Sequence, residues 1–136
     1  IRYRNSFEFE YNFPKEMIQA KTPKLILQPI VENSIMHGFL GKKSHGSLRI
    51  RGLQKKDKMV ITITDNGCGI PSEELRRIMA GERRKSYHGG GFGLRNIDER
   101  IKLAFGESYG LRVRSKYGIG TQVSILLPLD ERGELP

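Results

Sequence analysis

The sequence predicts a two-layer α/β sandwich, in which a mixed, mostly antiparallel sheet carries helices packed on one face. Apolar residues recur with the period of a strand or of a helix in the order strand, helix, hairpin, helix, loop, helix, hairpin. Because hairpins join antiparallel strands, an all-parallel sheet is excluded. With 136 residues, of which 37% are hydrophobic, we expect one domain over residues 1–136, with residues 130–136 as a frayed tail.

The first two elements are a strand and an apolar helix. Aromatic side chains occupy every second position between residues 6 and 13, which is the period of a strand. Residues 25–38 have the length and spacing of a helix. Pro29 lies inside this helix, so we expect either a kink there or a start delayed to Gln28.

Two hairpins complete the predicted sheet. The first occupies residues 47–64, with a polar turn over residues 54–58, and the second occupies residues 111–127, with a turn over residues 117–120. In both, apolar and polar side chains alternate. The polar positions hold arginines that are expected on the face of the sheet left uncovered by helices: Arg49, Arg51, Arg112 and Arg114.

Two further helices flank a glycine-rich loop. Ser72 is predicted as the N-cap of a short helix. Residues 81–93 show no periodicity and are predicted to form a mobile loop. A second helix follows from Leu94 to Phe105, and Gly106 is predicted as its C-cap.

Composition excludes several classes of function. No window approaches the roughly 20 apolar residues of a membrane span, and Cys68 is the single cysteine, which excludes an intrachain disulfide. The formal net charge of +9 fits either a nucleic-acid-binding surface or a solvated basic face. Base stacking requires aromatic side chains among the cations, and the arginine-bearing strand positions lack them, so no nucleic acid is expected as a partner.

Glycines at residues 89–93 lead directly into a helix. They do not match the dinucleotide fingerprint, whose sixth position is here Leu94. A Walker phosphate loop at Gly41 and Lys42 is excluded as well, because Met36 stands where its first glycine belongs. Glycine lets a ligand approach the backbone, and a helix N-terminus offers unpaired N–H groups. A phosphate site and a flexible linker are both consistent with this segment.

Two more polar motifs are candidates for a site. Asp65 follows a buried strand and precedes two glycines, so its carboxylate is suited to accept a hydrogen bond from an exocyclic amine such as that of adenine; a plain turn is the alternative. On the first helix, Asn33 and His37 share a face beside Glu32. An amide oxygen suits Mg²⁺ and a carboxylate suits a general base, whereas a solvated face is the alternative.

Together, the three motifs and their order resemble the Bergerat-fold ATPases, the GHKL superfamily that includes DNA gyrase, a large heat-shock chaperone, histidine kinases and mismatch-repair ATPases. Residues 23–38 are similar to the N box of the YesM/LytS-like sensor histidine kinases. The resemblance continues over residues 93–101, 105–107 and 118–121. It therefore implies the fold of that superfamily.

The resemblance also implies roles for individual residues. Asn33 would bind Mg²⁺, Glu32 would orient or deprotonate the attacking histidine, and His37 would contact phosphate. Asp65 would accept a hydrogen bond from the adenine amine. The remaining nucleotide-binding residues that it implies are Gly67, Gly69, Ile70 and Thr121 around the base, and Gly89, Gly91, Gly93 and Leu94 at the phosphates.

The resemblance implies ATP and Mg²⁺ as cofactors and transfer of the γ-phosphoryl group to a histidine on a dimerisation domain absent from this chain. A response regulator and a homodimer of the full-length protein follow as partners. Because the sequence does not begin with Met, we expect a cytoplasmic part of a longer, membrane-anchored bacterial sensor, which alone binds ATP without autophosphorylation. The alternatives are a dimer-gating ATPase of the superfamily or an anti-sigma-type serine kinase.

Overall fold

The structure is a computed structural model that describes residues 7–12, 24–33, 35, 46–82 and 91–130. Its helices and strands, in chain order, are β1 (Phe7–Asn12), α1 (Lys24–Asn33), β2 (Gly46–Lys55), β3 (Lys58–Asp65), α2 (Ser72–Ala80), α3 (Gly91–Phe105), β4 (Gly110–Lys116) and β5 (Gly120–Pro128).

The five strands form one sheet in the order β1-β2-β3-β5-β4. Strand β1 pairs with β2 in parallel, and the other three pairs are antiparallel. The parallel pair is possible because α1 lies between β1 and β2 in the chain, as a crossover requires. The prediction of a mixed, mostly antiparallel sheet is confirmed.

One face of the sheet builds the core and the other faces solvent. Helices α1 and α3 supply Ile30, Ile97 and Ile101 to the core. The opposite face exposes the four strand arginines that the alternation predicted, which confirms a two-layer arrangement with helices on one side. The strands contribute to the core the buried side chains of Leu48, Ile50, Met59, Ile61, Ile63, Val123, Ile125 and Leu127.

The turn between β2 and β3 is tighter than predicted. Lys55 pairs with Lys58, so the turn consists of Lys56 and Asp57 instead of residues 54–58. Lys56 has a left-handed φ of 54°, and the carbonyl of Asp57 accepts the N–H of Leu129 at 2.7 Å. Backbone pairing therefore extends both strands into the segment that was predicted to be a turn.

Helix α1 begins before its proline. It runs from Lys24 through Pro29, so the alternative of a start delayed to Gln28 is wrong. A proline removes a single N–H from the helix, and the burial of Ile30, which is 1% exposed, holds the next turn against the core.

The predicted limits of α2 and α3 also need correction. Pro71 occupies the N-cap position of α2, because its carbonyl accepts the N–H of Leu75 at 2.9 Å. Its side chain makes no capping bond, and Ser72 is the first helical residue instead of the N-cap. Helix α3 begins at Gly91, inside the loop predicted for residues 81–93. The C-cap prediction for Gly106 is confirmed by its φ of 103° and by its N–H bond to Lys102 at 2.8 Å.

Several other expectations concern residues outside the described ranges, among them residues 83–90 and most of the tail, 131–136. Within the described ranges, no helix combines the length and the apolar composition that a membrane crossing requires.

Candidate functional site

At one end of the sheet, the core-facing surface changes from apolar to polar. Asp65 ends β3, where it pairs with Thr121 on β5, and Thr121 in turn pairs with Ser115 on β4. The side chains of these three residues lie on the same, core-facing side of the sheet as the apolar residues before them, because side chains on one face recur every second residue. The sequence period thus places a carboxylate and two hydroxyls side by side.

The carboxylate of Asp65 is buried, with 7% of the residue exposed. Its Oδ1 accepts the backbone N–H of Gly67 at 2.9 Å and that of Thr121 at 3.3 Å. A buried carboxylate is costly unless hydrogen bonds compensate for lost water. Backbone donors from the loop after β3 and from β5 therefore fix this group at the rim of the core.

The loop that follows Asp65 is fastened on two sides. On one side, Asn66 donates its N–H to the carbonyl of Ser47 at 3.2 Å and accepts the N–H of Ser47 with its Oδ1 at 2.7 Å. On the other side, the carbonyl of Cys68 accepts the N–H of Gly118 at 2.6 Å. The loop is thereby held against both hairpins.

Two glycines in this region are required by close backbone approach. A Cβ atom on Gly69, whose φ is +70°, would collide with the carbonyl oxygen of Lys116. A Cβ atom on Gly120, whose φ is +152°, would collide with the carbonyl oxygen of Asp65. The loop after β3 and the β4–β5 turn can approach each other this closely only without side chains.

Ser115 was not identified from the sequence, although it connects three parts of the site. Its hydroxyl accepts the N–H of Ile70 at 2.8 Å, donates to the carbonyl of Gly120 at 3.0 Å and lies 2.7 Å from Thr121 Oγ1. The available signal was a polar residue in the inward series of β4, after Leu111 and Val113.

Helix α1 carries the second group of predicted site residues. Glu32 is exposed, and its Oε1 accepts a hydrogen bond from Gln28 Nε2 at 2.9 Å. Asn33 is the last residue of α1, and its side chain lies outside what the structure describes, as does the whole of His37.

The glycine motif overlaps the first turn of α3. Gly91 is the first residue of that helix and Gly93 lies in its first turn, whereas Gly89 is outside the described residues. Leu94 is buried, with 4% exposed. Burial of this side chain fixes the first turn of α3 on the core.

The partly buried carboxylate of Asp98 on α3 links that helix to β4. Asp98, which is 8% exposed, accepts the N–H of Leu111 and a hydrogen bond from Lys102 Nζ, both at 2.8 Å. The hydrogen bond from Asp98 raises the pKa of Lys102 above its ordinary value of 10.5. The bond from the Leu111 N–H to Asp98 positions the helix that carries Gly91 and Gly93 relative to the sheet.

Comparison with known proteins identifies a family for this arrangement. The sequence profile described as "Histidine kinase-, DNA gyrase B-, and HSP90-like ATPase" matches residues 19–131. The chain is 36% identical over 128 residues to the sensor histidine kinase YesM of Bacillus subtilis, a match that covers 94% of this chain and 21% of that protein. It is 35% identical to the sensor protein LytS of Staphylococcus epidermidis, with coverages of 93% and 21%.

Solved structures share the fold. The catalytic domain of the histidine kinase ThkA superposes with a TM-score of 0.66 at 14% identity, covering 95% of this chain and 80% of that one. The mycobacterial sensor histidine kinase MprB superposes with a TM-score of 0.61 at 24% identity, covering 92% and 85%. The chain spans about a fifth of the length of the curated relatives it matches.

Proposed function

The chain belongs to the family of histidine kinase-, DNA gyrase B- and HSP90-like ATPases, and from that premise we propose that it is the ATP-binding catalytic domain of a sensor histidine kinase. The main support for this proposal is the position of the Asp65 carboxylate. A buried carboxylate at the end of a central strand, held by two backbone N–H groups, is a fixed acceptor for the exocyclic amine of adenine.

The surroundings of Asp65 support a pocket for a flat base. Gly67 and Gly69 present backbone instead of side chains in the loop that Asp65 begins. Ile70 closes this loop, with its N–H bonded to Ser115, and Thr121 lies beside the carboxylate on β5. The adenine ring would lie between this loop and the Asp65–Thr121 edge.

The phosphates are assigned to the start of α3. Its first turn presents N–H groups without intrahelical partners, together with the positive end of the helix dipole. Gly91, Gly93 and the N–H of Leu94 are the binding groups in the described part of the chain, with Gly89 preceding them. His37 would add a phosphate contact, weaker than that of a lysine because a neutral imidazole carries no charge.

Mg²⁺ is assigned to the phosphates and Asn33. Among the described residues no group of three or more His, Cys, Asp or Glu side chains is placed to hold a metal. The amide oxygen of Asn33 is a hard ligand of the kind that Mg²⁺ prefers, so Asn33 would hold the ion beside the phosphates. The bound ion supplies neutralisation of charge on the transferring phosphoryl group.

The chemistry assigned to this chain is mostly positioning. The acceptor is a histidine on a dimerisation domain outside this chain, and its ring nitrogen would attack the γ-phosphorus while the bond to the β–γ bridging oxygen breaks. Glu32 would take the proton of that ring, or orient it, as a solvent-accessible carboxylate on α1 can. ADP is the other product, and holding the reactants in line supplies much of the rate.

The wider context is also proposed. Residues 1–136 form a single catalytic domain, which acts within a homodimer of the full-length protein and passes the phosphoryl group onward to a response regulator. The relatives are named as sensor proteins, which supports a cytoplasmic domain of a membrane-anchored bacterial sensor. The isolated chain is expected to bind ATP without phosphorylating itself.

The test is a calorimetric titration of the chain with Mg²⁺·ATP, paired with incubation in γ-labelled ATP. Saturable binding with no label on the protein is the expected result. Absence of binding at millimolar nucleotide contradicts an ATP-binding function, and label on the isolated chain contradicts the external acceptor histidine.

A further inference from the structure

The hydroxyl of Ser115 is hydrogen-bonded in a way that determines how its neighbour Thr121 can interact. Ser115 Oγ accepts the Ile70 N–H at 2.8 Å and donates to the Gly120 carbonyl at 3.0 Å. Thr121 Oγ1 lies 2.7 Å from the same oxygen, a normal distance between two hydrogen-bonded hydroxyls. One side chain thus joins the loop after β3, the β4–β5 turn and β5.

The direction of the bond between the two hydroxyls follows from counting hydrogens. A serine hydroxyl has one hydrogen and two lone pairs, and a carbonyl oxygen only accepts. The single hydrogen of Ser115 is used by the Gly120 carbonyl, and one lone pair is used by Ile70. The remaining lone pair of Ser115 must therefore accept the hydroxyl hydrogen of Thr121.

With its hydrogen directed to Ser115, the Thr121 hydroxyl can act only as a hydrogen-bond acceptor toward any other group. Its hydrogen is directed to Ser115, so Oγ1 offers only lone pairs. Thr121 is the pairing partner of Asp65 across β3 and β5, and the Asp65 carboxylate is likewise an acceptor. The two groups present acceptors side by side at the rim of the core.

We propose that Ser115 is a positioning residue that determines base specificity by fixing Thr121 as a hydrogen-bond acceptor beside Asp65. The inference rests on the proposed adenine site and deepens it. The 6-amino group of a 6-amino purine carries two N–H donors and no acceptor, so it is compatible with two neighbouring acceptors. A 6-oxo purine offers an acceptor at the same position, so its oxygen would face the lone pairs of both groups.

The test compares the affinities of Mg²⁺·ATP and Mg²⁺·ITP, which differ at the purine 6-position and its neighbouring ring nitrogen. Removing the Ser115 hydroxyl frees the Thr121 hydroxyl to rotate and to donate to the 6-oxo group. We expect Ser115→Ala to reduce the ATP-over-ITP preference by about five- to tenfold, the scale of one hydrogen bond. Ser115→Thr, which keeps a hydroxyl, should restore most of the preference.

The preference ratio separates this role from a purely structural one. If Ser115 only held the loop through Ile70, its loss would weaken ATP and ITP by the same factor, and the unchanged ratio would overturn the proposal. Ser124→Ala is the matched control, because Ser124 is also a half-buried serine of the sheet but lies on the opposite face. It should leave both affinities as in the wild type.

A second variant tests the same proposal in case Ser115→Ala does not fold. Thr121→Val preserves the shape of the side chain without a hydroxyl and should lower the ratio to a similar extent. Full discrimination in Thr121→Val would overturn the proposal. Failure of the wild-type chain to bind ATP at all is a different result, because it removes the adenine site itself.

Discussion

The backbone N–H of Thr121 donates to the buried carboxylate of Asp65, with the two atoms 3.3 Å apart, although 56 positions separate the residues in the chain. This bond links the third and fifth strands at the edge where the core-facing surface becomes polar. Asp65 therefore ends a core strand, and its carboxylate is well placed to accept a hydrogen bond from a ligand.

Replacing Asp65 with Asn should weaken ATP binding while preserving the pocket. The amide oxygen of Asn can still accept from Gly67 and Thr121, but its NH₂ group repels the adenine amine. We expect a loss of about 1.5–3 kcal/mol in binding free energy, the scale of a hydrogen bond to a charged group. Calorimetry measures it, with Asp57→Asn in the exposed β2–β3 turn as control. Equal affinity would make Asp65 a turn residue only.

Replacing Asn33 with Ala should reduce the Mg²⁺ dependence of ATP binding. The amide oxygen is the protein ligand assigned to the ion, so the gain in affinity from added Mg²⁺ should shrink toward that of free nucleotide. Affinities with Mg²⁺ and with a chelator measure this gain. Asn12→Ala, on the exposed edge of the sheet, is the control, and an unchanged Mg²⁺ dependence in Asn33→Ala would refute the ligand role.

Replacing Gly69 with Ala should destabilise the fold more than the same change at Gly118. Both glycines have positive φ, of 70° and 84°, but only Gly69 lacks room for a Cβ, because the Lys116 carbonyl is in contact. The left-handed conformation costs an alanine about 1–2 kcal/mol at either position. The collision adds roughly 1–3 kcal/mol for Gly69→Ala. Chemical denaturation of both variants isolates this difference, and equal losses would contradict the close approach.

The pair formed by Asp98 and Lys102 predicts a pH dependence of stability. Because the folded-state pKa of Lys102 is raised, its stabilising contribution is complete below the unfolded value of 10.5 and declines as pH rises through the folded value. Lys102→Met should therefore cost about 1 kcal/mol at pH 7 and progressively less above pH 10.5.

Denaturation across alkaline pH measures this cost, with exposed Lys55→Met as control. A difference between wild type and Lys102→Met that persists undiminished at the highest pH would show that the ammonium charge is not responsible.

Much of the fold was predictable because it depends on local periodicity. The alternation of Leu48 and Ile50 with Arg49 and Arg51 determines which face of β2 is buried, and the structure confirms that assignment. Gly106 was recognisable as a C-cap because a glycine directly after a helical pattern is a local sequence signal for a left-handed residue.

The features that were mispredicted depend on tertiary contacts. The Lys56–Asp57 turn is short because the β2–β3 ladder continues beyond the apolar residues. The role of Ser115 could not be predicted from the sequence, because its partner Ile70 lies 45 positions away. The two residues are brought close only by the β5–β4 pairing. This role depends on strand order, which alternating hydrophobicity does not specify.

The adenine site at the Asp65–Thr121 edge can be tested directly by following the backbone amide resonances of the chain while Mg²⁺·ATP is added. We expect the amides of Gly67, Ile70 and Thr121 to shift together and saturate with a single affinity. In Asp65→Asn the same amides should need a higher nucleotide concentration to reach half saturation. Saturable shifts elsewhere, with these three amides unchanged, would contradict an adenine site at the Asp65–Thr121 edge.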